Sequence, residues 1–338
     1  MQRYLLSSKL FDTFAHPGKV FTGKFLMANL FWKKKKETVG IAFSGGGAKG
    51  AAHCGVMQAM YEYGVKADMV AGTSAGSIAA TMYAAGMSPV EIANNFTTLD
   101  FRDLLGTQIP KGGVFDSKPL VKHLKKIIPY ERLEELPVKT IVVATSIEKG
   151  AVKYFEEGEI APRVAASCSI PIIYQPIKLE GEHYVDGGVL MNLPVSALRD
   201  KCDKVIGINL HQAAEMRYRD SLYSIALRSF SLMFLSNAME DASKADIVMD
   251  IDTSSYSAYD LSNIETLFYK GYDTAVKVLE ANEYKRVMPR QELTFLHKEK
   301  QPGKIDELKM HAQAMLARSE ELKNAALQLI TGPADKKS

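Results

Sequence analysis

The sequence predicts an α/β fold, a three-layer α/β/α arrangement with a mostly parallel central sheet and a C-terminal helical extension. Three observations predict it. Short apolar runs rich in β-branched residues alternate with longer stretches of helical composition. The first two runs each end in a glycine-rich turn that leads into a helix, the connection a parallel sheet requires. The alternation continues downstream, where the runs 205–210 and 247–251 flank the long apolar stretch 222–239.

Taken in order, residues 39–43 form an apolar run that stops at Ser44-Gly45-Gly46-Gly47, and residues 51–63 have helical composition up to Gly64. The plan then repeats. Residues 69–71 read as a strand, Gly72 to Gly76 as a tight turn, and 78–85 as a helix closed by Gly86 and Pro89. Residues 141–146 supply a third strand, with 152–155 as its hairpin partner beyond Lys149-Gly150. Tyr184-Val185 is a short strand running into Asp186-Gly187-Gly188, and residues 205–210 and 247–251 add two more. The apolar stretch 222–239 between those two contains Arg228, Asn237 and four serines, so a buried helix is expected rather than a membrane span; a dimer contact or a pocket wall are the other roles it suits.

The chain divides most simply into a basic, aromatic segment (1–37), one domain (38–285) and a C-terminal extension (286–338). In the extension, Ile305, Leu308, Ala312, Met315, Leu322, Ala326 and Leu329 keep a helical 3,4 spacing, broken at Ser319. A helix docked on its own domain is expected, with a homodimer coiled coil as the alternative. Residues 104–118, around Pro110-Lys111-Gly112-Gly113, are irregular and read as a loop or a flap.

Composition excludes several classes. With 338 residues, 46% hydrophobic and 24% charged, the chain is neither disordered nor fibrous, and a net charge of +3 gives no basis for nucleic-acid binding. The charge is local: eight cations in residues 1–37 face only Asp12 and Glu37. Cys54, Cys168 and Cys202 form an odd set without a CxxC pair, which predicts no disulfide framework and no metal and suits a reducing compartment. The start of the chain lacks a signal-peptide pattern, and its longest apolar run, 25–32, is short of a membrane span, so a cytoplasmic protein is expected.

Gly72-Thr73-Ser74-Ala75-Gly76 is a GxSxG sequence between a predicted strand and a predicted helix. Small residues beside the serine permit a sharp turn that lifts its Oγ above the sheet, toward the free amides of the next helix. Ser74 is therefore the candidate nucleophile; in isolation the same five residues would be a helix-capping turn. Gly45-Gly46-Gly47-Ala48-Lys49-Gly50 matches GxGxxG literally, yet the acid a dinucleotide site needs at the end of the following strand is missing, since Asp68 stands at its beginning. GxxxxGK[ST] is absent too. What remains is a row of bare amides at Gly45, Gly46 and Gly47 suited to an oxyanion hole. None of the seven histidines lies in a comparable turn. Asp186, by itself, reads as a plain Asp-Gly turn.

Together the three motifs resemble the patatin-like phospholipase family, whose pattern is a GGGx[KR]G loop, a GxSxG elbow about 25 residues later, and a DG[GA] motif roughly 100 or more residues beyond. Here they stand at Gly45 to Gly50, Gly72 to Gly76 and Asp186 to Gly188, and Ala165-Ala166-Ser167-Cys168-Ser169-Ile170-Pro171 looks like the family's segment before the aspartate. The resemblance covers residues 38–280. It implies a Ser74/Asp186 dyad that hydrolyses lipid or phospholipid acyl esters through an acyl-enzyme without cofactor, with Lys49 in an accessory structural or electrostatic role.

A lipid hydrolase must meet an interface, and the aromatic run 25–32 followed by Lys33 to Lys36 suits an anionic membrane surface, here the inner one. The bland alternative is aromatics packed on the domain and solvated lysines. Two other functions compete: a Ser/His/Asp esterase using His211 or His297, and a catalytically silent scaffold for membrane or protein interaction.

Overall fold

The computed structural model describes residues 37–98, 115–210, 221–258, 260–291, 293 and 295. Segment 1–36, residues 99–114, His211, His297 and the helix expected over 305–330 lie outside the described residues. A boundary between compact units falls after Arg290, and the sheet and its helices belong to the first.

Eight strands form one sheet: β1 (Val39–Phe43), β2 (Met69–Thr73), β3 (Lys139–Ser146), β4 (Ala151–Phe155), β5 (Ile177–Leu179), β6 (Glu182–Asp186), β7 (Lys204–Asn209) and β8 (Ile247–Asp250). The order is β5-β6-β3-β2-β1-β7-β8, with β4 paired to β3 off this path. From β3 through β8 the neighbours run parallel, whereas β4, β5 and β6 pair antiparallel. The mostly parallel sheet expected from the sequence is present. β5 has no counterpart among the expected strands, because three residues with a solvent-facing Lys178 give no periodic signal.

The helices are α1 (Ala51–Glu62), α2 (Ala75–Ala84), α3 (Pro89–Thr98), α4 (Lys118–Ile127), α5 (Ile160–Ser167), α6 (Ser196–Arg199), α7 (Leu222–Ala242) and α8 (Ile264–Ala281). They cover both faces, and the strand period of two divides the side chains between them. Phe43 points to one face, where its ring meets that of His53 on α1 edge-on with centroids 5.3 Å apart. Ala42 points to the other, in a core cluster with Ala71, Ile141, Val143, Leu193, Val195 and Leu198.

α7 departs from the expected buried helix. Its C-terminal part is anchored, with Ala238 and Asp241 buried, but Leu222 is 85% exposed and Ile225, Leu232, Met233 and Met239 are also largely exposed. An apolar composition all round a helix cannot say which side the sheet will cover. No described helix is long and apolar enough to cross a membrane.

Candidate active site

Register brings the two distant motifs together. Thr73 of β2 pairs with Val143 of β3, so Ser74 leaves β2 level with Ala144. Asp186, the last residue of β6, pairs with that same Ala144 along the same edge of β3, because β4 occupies the other edge. β3 is longer than β2, and its final residues are free to take β6 as a neighbour. The chain then turns across the end of β2: a Cβ on Gly187 would overlap the Val143 carbonyl and stand 3.0 Å from Thr73 Cγ2. Only a residue without a side chain can cross there.

Ser74 occupies a strained elbow, with φ 54° and ψ −127° at the N-terminus of α2. The flanking glycines explain how the turn closes, because a Cβ at Gly72 would overlap the Gly76 carbonyl and one at Gly76 the Phe43 carbonyl. Ser74 is 7% exposed. Its backbone N–H donates to Ser167 Oγ at 2.8 Å, and that hydroxyl donates to the Val143 carbonyl at 2.6 Å. Two residues on, the Ser169 carbonyl accepts the Asp186 N–H at 2.9 Å. The end of α5 therefore braces both residues. Sequence reasoning singles out this segment as similar to the family's without giving Ser167 or Ser169 a task.

Asp186 is 0% exposed. Its Oδ1 accepts the Gly188 N–H at 2.8 Å, whereas Oδ2 has no hydrogen-bond partner. Burial pushes the carboxyl up to about 7, while the Ser74 hydroxyl and the Gly188 N–H pull it back. Ser74 is thus close enough to act on the charge of Asp186. Cys168 lies against both groups. Burial pushes its thiol up, the Asp186 charge adds to this, and the Ser77 and Ser74 hydroxyls oppose it, so it is a neutral neighbour rather than a nucleophile.

The glycine loop follows β1, and its amides are not equivalent. Gly45 N–H donates to the Asn192 carbonyl at 3.0 Å, and Ala48 N–H to the Ala258 carbonyl at 2.8 Å. The N–H groups of Gly46 and Gly47 take no partner among the described residues. This narrows the expected row of donors to two: Gly45 holds the loop in place instead of facing the crevice. Lys49 is shifted below its ordinary range by burial, opposed by the charge of Asp252, and so answers to the neighbouring loop. Gly50 closes the turn by packing under Phe96.

Neither His53 nor His183 is placed as a base for Ser74. His53 Nε2 bonds the Ser44 carbonyl at 2.8 Å and burial pushes the ring down to about 4; His183 Nδ1 pairs with Glu148 at 2.6 Å on the surface. Among the described residues no group of three or more His, Cys, Asp or Glu is placed to hold a metal ion.

The family model described as Patatin-like phospholipase matches residues 41–199, which include all three motifs. An uncharacterized NTE family protein of Mycobacterium tuberculosis is 28% identical over 216 residues, 63% of this chain and 60% of that protein. Lysophospholipase NTE1 of Scheffersomyces stipitis is 28% identical over 55% of this chain and 13% of its own length, and the Patatin-like phospholipase domain-containing protein 6 of Mus musculus 29% over 55% and 15%. The chain thus spans less than two thirds of the length of these relatives. Among solved structures, VipD from Legionella pneumophila aligns over 88% of this chain and 77% of its own, at 18% identity and a TM-score of 0.47.

Proposed function

The chain belongs to the patatin-like phospholipase family, and from that premise we propose that it is a serine hydrolase of lipid acyl esters, of the phospholipase A or lysophospholipase type. Ser74 Oγ attacks the ester carbonyl while Asp186 takes its proton. The N–H groups of Gly46 and Gly47 receive the developing oxyanion, the alcohol leaves with the proton held by Asp186, and water activated by Asp186 then releases the fatty acid from Ser74.

The observation that carries this reading is the meeting of residues 74 and 186 over β3, with the carboxyl of Asp186 raised to about 7 by burial. A carboxylate at its ordinary value is too weak a base for a hydroxyl at neutral pH. One titrating near 7 is still about half ionised there and binds a proton far more readily. The relatives' names point to lysophospholipids as the first substrates to test.

The experiment is turnover of lysophospholipids, phospholipids, monoacylglycerols and short p-nitrophenyl esters by wild type and Ser74→Ala, with fluorophosphonate labelling alongside. Wild type is expected to take the label and hydrolyse at least one ester class, and Ser74→Ala to lose the label and about 10⁴-fold or more in kcat. A protein that folds, takes no label and hydrolyses none of the panel is a scaffold, and the proposal fails. Delivery to an anionic lipid surface belongs to residues 1–37 in this reading. Flotation with anionic liposomes checks it: deletion of that segment should abolish binding.

A further inference from the structure

Asn192 is 0% exposed, and neither its Oδ1 nor its Nδ2 has a hydrogen-bond partner. Burying a carboxamide with nothing to bond is costly, and such a group in a folded protein calls for a reason. Its backbone is fully engaged: the carbonyl accepts the Gly45 N–H at 3.0 Å, and the N–H donates to Asn237 Oδ1 at 2.7 Å. Asn237 in turn donates to the Gly188 carbonyl at 2.8 Å, tying α7 to the same turn. The side chain is therefore held by elements that also set the glycine loop and the Asp186 turn.

Its position follows from the two glycines it touches. Oδ1 would overlap a Cβ built on Gly45, a point 3.2 Å from Ser74 Cβ, and it is 3.0 Å from the Cβ position of Gly188, which is 3.1 Å from Asp186 Oδ1. The amide thus sits among the glycine loop, the serine elbow and the aspartate turn. With Oδ1 seated against two glycine Cα groups, Nδ2 is the end left with unspent donors. An ester in reach of both Ser74 Oγ and the Gly46 and Gly47 amides must place its carbonyl in this same crevice.

We infer that Asn192 is a further catalytic residue, its side-chain N–H donating to the carbonyl oxygen of the bound ester as that oxygen becomes an oxyanion, beside the two glycine amides. The inference rests on the acyl-hydrolase reading. It also explains why glycine stands at position 45, where any side chain would displace the amide.

The test uses Asn192→Leu, close in volume and without donors, and Asn192→Asp, matched in shape but without the N–H. The readouts are kcat and KM on p-nitrophenyl butyrate, the rate of fluorophosphonate labelling at Ser74, and the melting temperature, with Ser74→Ala run beside them. Both variants should lose about 10²- to 10³-fold in kcat with KM little changed, label correspondingly slowly because the phosphonyl oxygen enters the same hole, and Asn192→Leu should melt no lower than wild type. Wild-type kcat in either variant, or a rise in KM alone, overturns the inference. So does a melting temperature far below wild type in both, which makes the amide a packing element. If wild type itself shows no Ser74-dependent turnover or labelling, the hydrolase reading fails and takes this inference with it; wild-type turnover matched by the Asn192 variants sinks the inference alone.

Discussion

Replacing Asp186 by asparagine should abolish turnover and, at alkaline pH, make the protein more stable. The folded carboxyl titrates near 7 instead of 3.8, because burial penalises its charge. In the unfolded chain it titrates at its ordinary value. Between about pH 4 and about pH 7 the folded state therefore holds a proton that the unfolded state has released, and stability falls as pH rises through that window. Below it the side chain is neutral in both states and costs nothing. Above it the deficit levels off at about three pK units, or ~4 kcal/mol at 1.36 kcal/mol each. The asparagine side chain of the variant would stay neutral throughout, and its carboxamide oxygen can keep the Gly188 N–H that Asp186 now accepts at 2.8 Å. Differential scanning calorimetry of wild type and Asp186→Asn from about pH 4 to about pH 9 should show melting temperatures that nearly coincide at the acid end. At about 2 °C per kcal/mol for a domain of this size, they should separate by several degrees at the alkaline end, the variant higher. In parallel, wild-type kcat/KM should rise with pH and level off above an apparent pKa of about 7, since the base must be ionised to accept the serine proton. A melting difference that does not change with pH, or a variant less stable than wild type at about pH 8, would refute the burial argument.

Two further outcomes separate the site from its supports. Ser167→Ala removes the acceptor of the Ser74 N–H and should lower stability by about 1–3 kcal/mol, with kcat falling more than KM, as steady-state kinetics and thermal melts would record. Arg286→Met acts at the far end of α1, where Arg286 pairs with the fully buried Glu62 and Tyr272 donates to the same carboxylate at 2.7 Å. Leaving that charge without its cation should cost on the order of 3 kcal/mol, visible as a lower urea midpoint, with kcat unchanged at temperatures where the variant is folded.

The parts of the site that are legible in the sequence are those encoded as missing side chains. Gly72 and Gly76 report backbones in contact, and the alternation of apolar runs with helices carries the sheet. Asp186 bears no such mark, because an Asp-Gly turn is commonplace; what gives it meaning is that β3 outruns β2 and accepts β6 level with Ser74, a register no local pattern expresses. Gly45, Gly46 and Gly47 look interchangeable in the text and are not, since the donor of the first is taken by Asn192. Ser167 and Asn192 escape sequence reasoning altogether: a serine at a helix end and an asparagine after a turn have ordinary local uses, and only their distant partners set them apart. The exposure of α7 is hidden for a related reason, its hydrophobicity having no preferred side to read.

The grip of one short piece of chain on two distant ones governs how the reaction centre comes apart. Ser167 holds the backbone of Ser74 and Ser169 that of Asp186, within one turn of each other, so a fluctuation that unwinds this stretch would release the proposed attacker and proton acceptor in the same event. Under the proposed reaction the protein would then pass between an armed form and an inert one, with little of any form that holds one partner without the other.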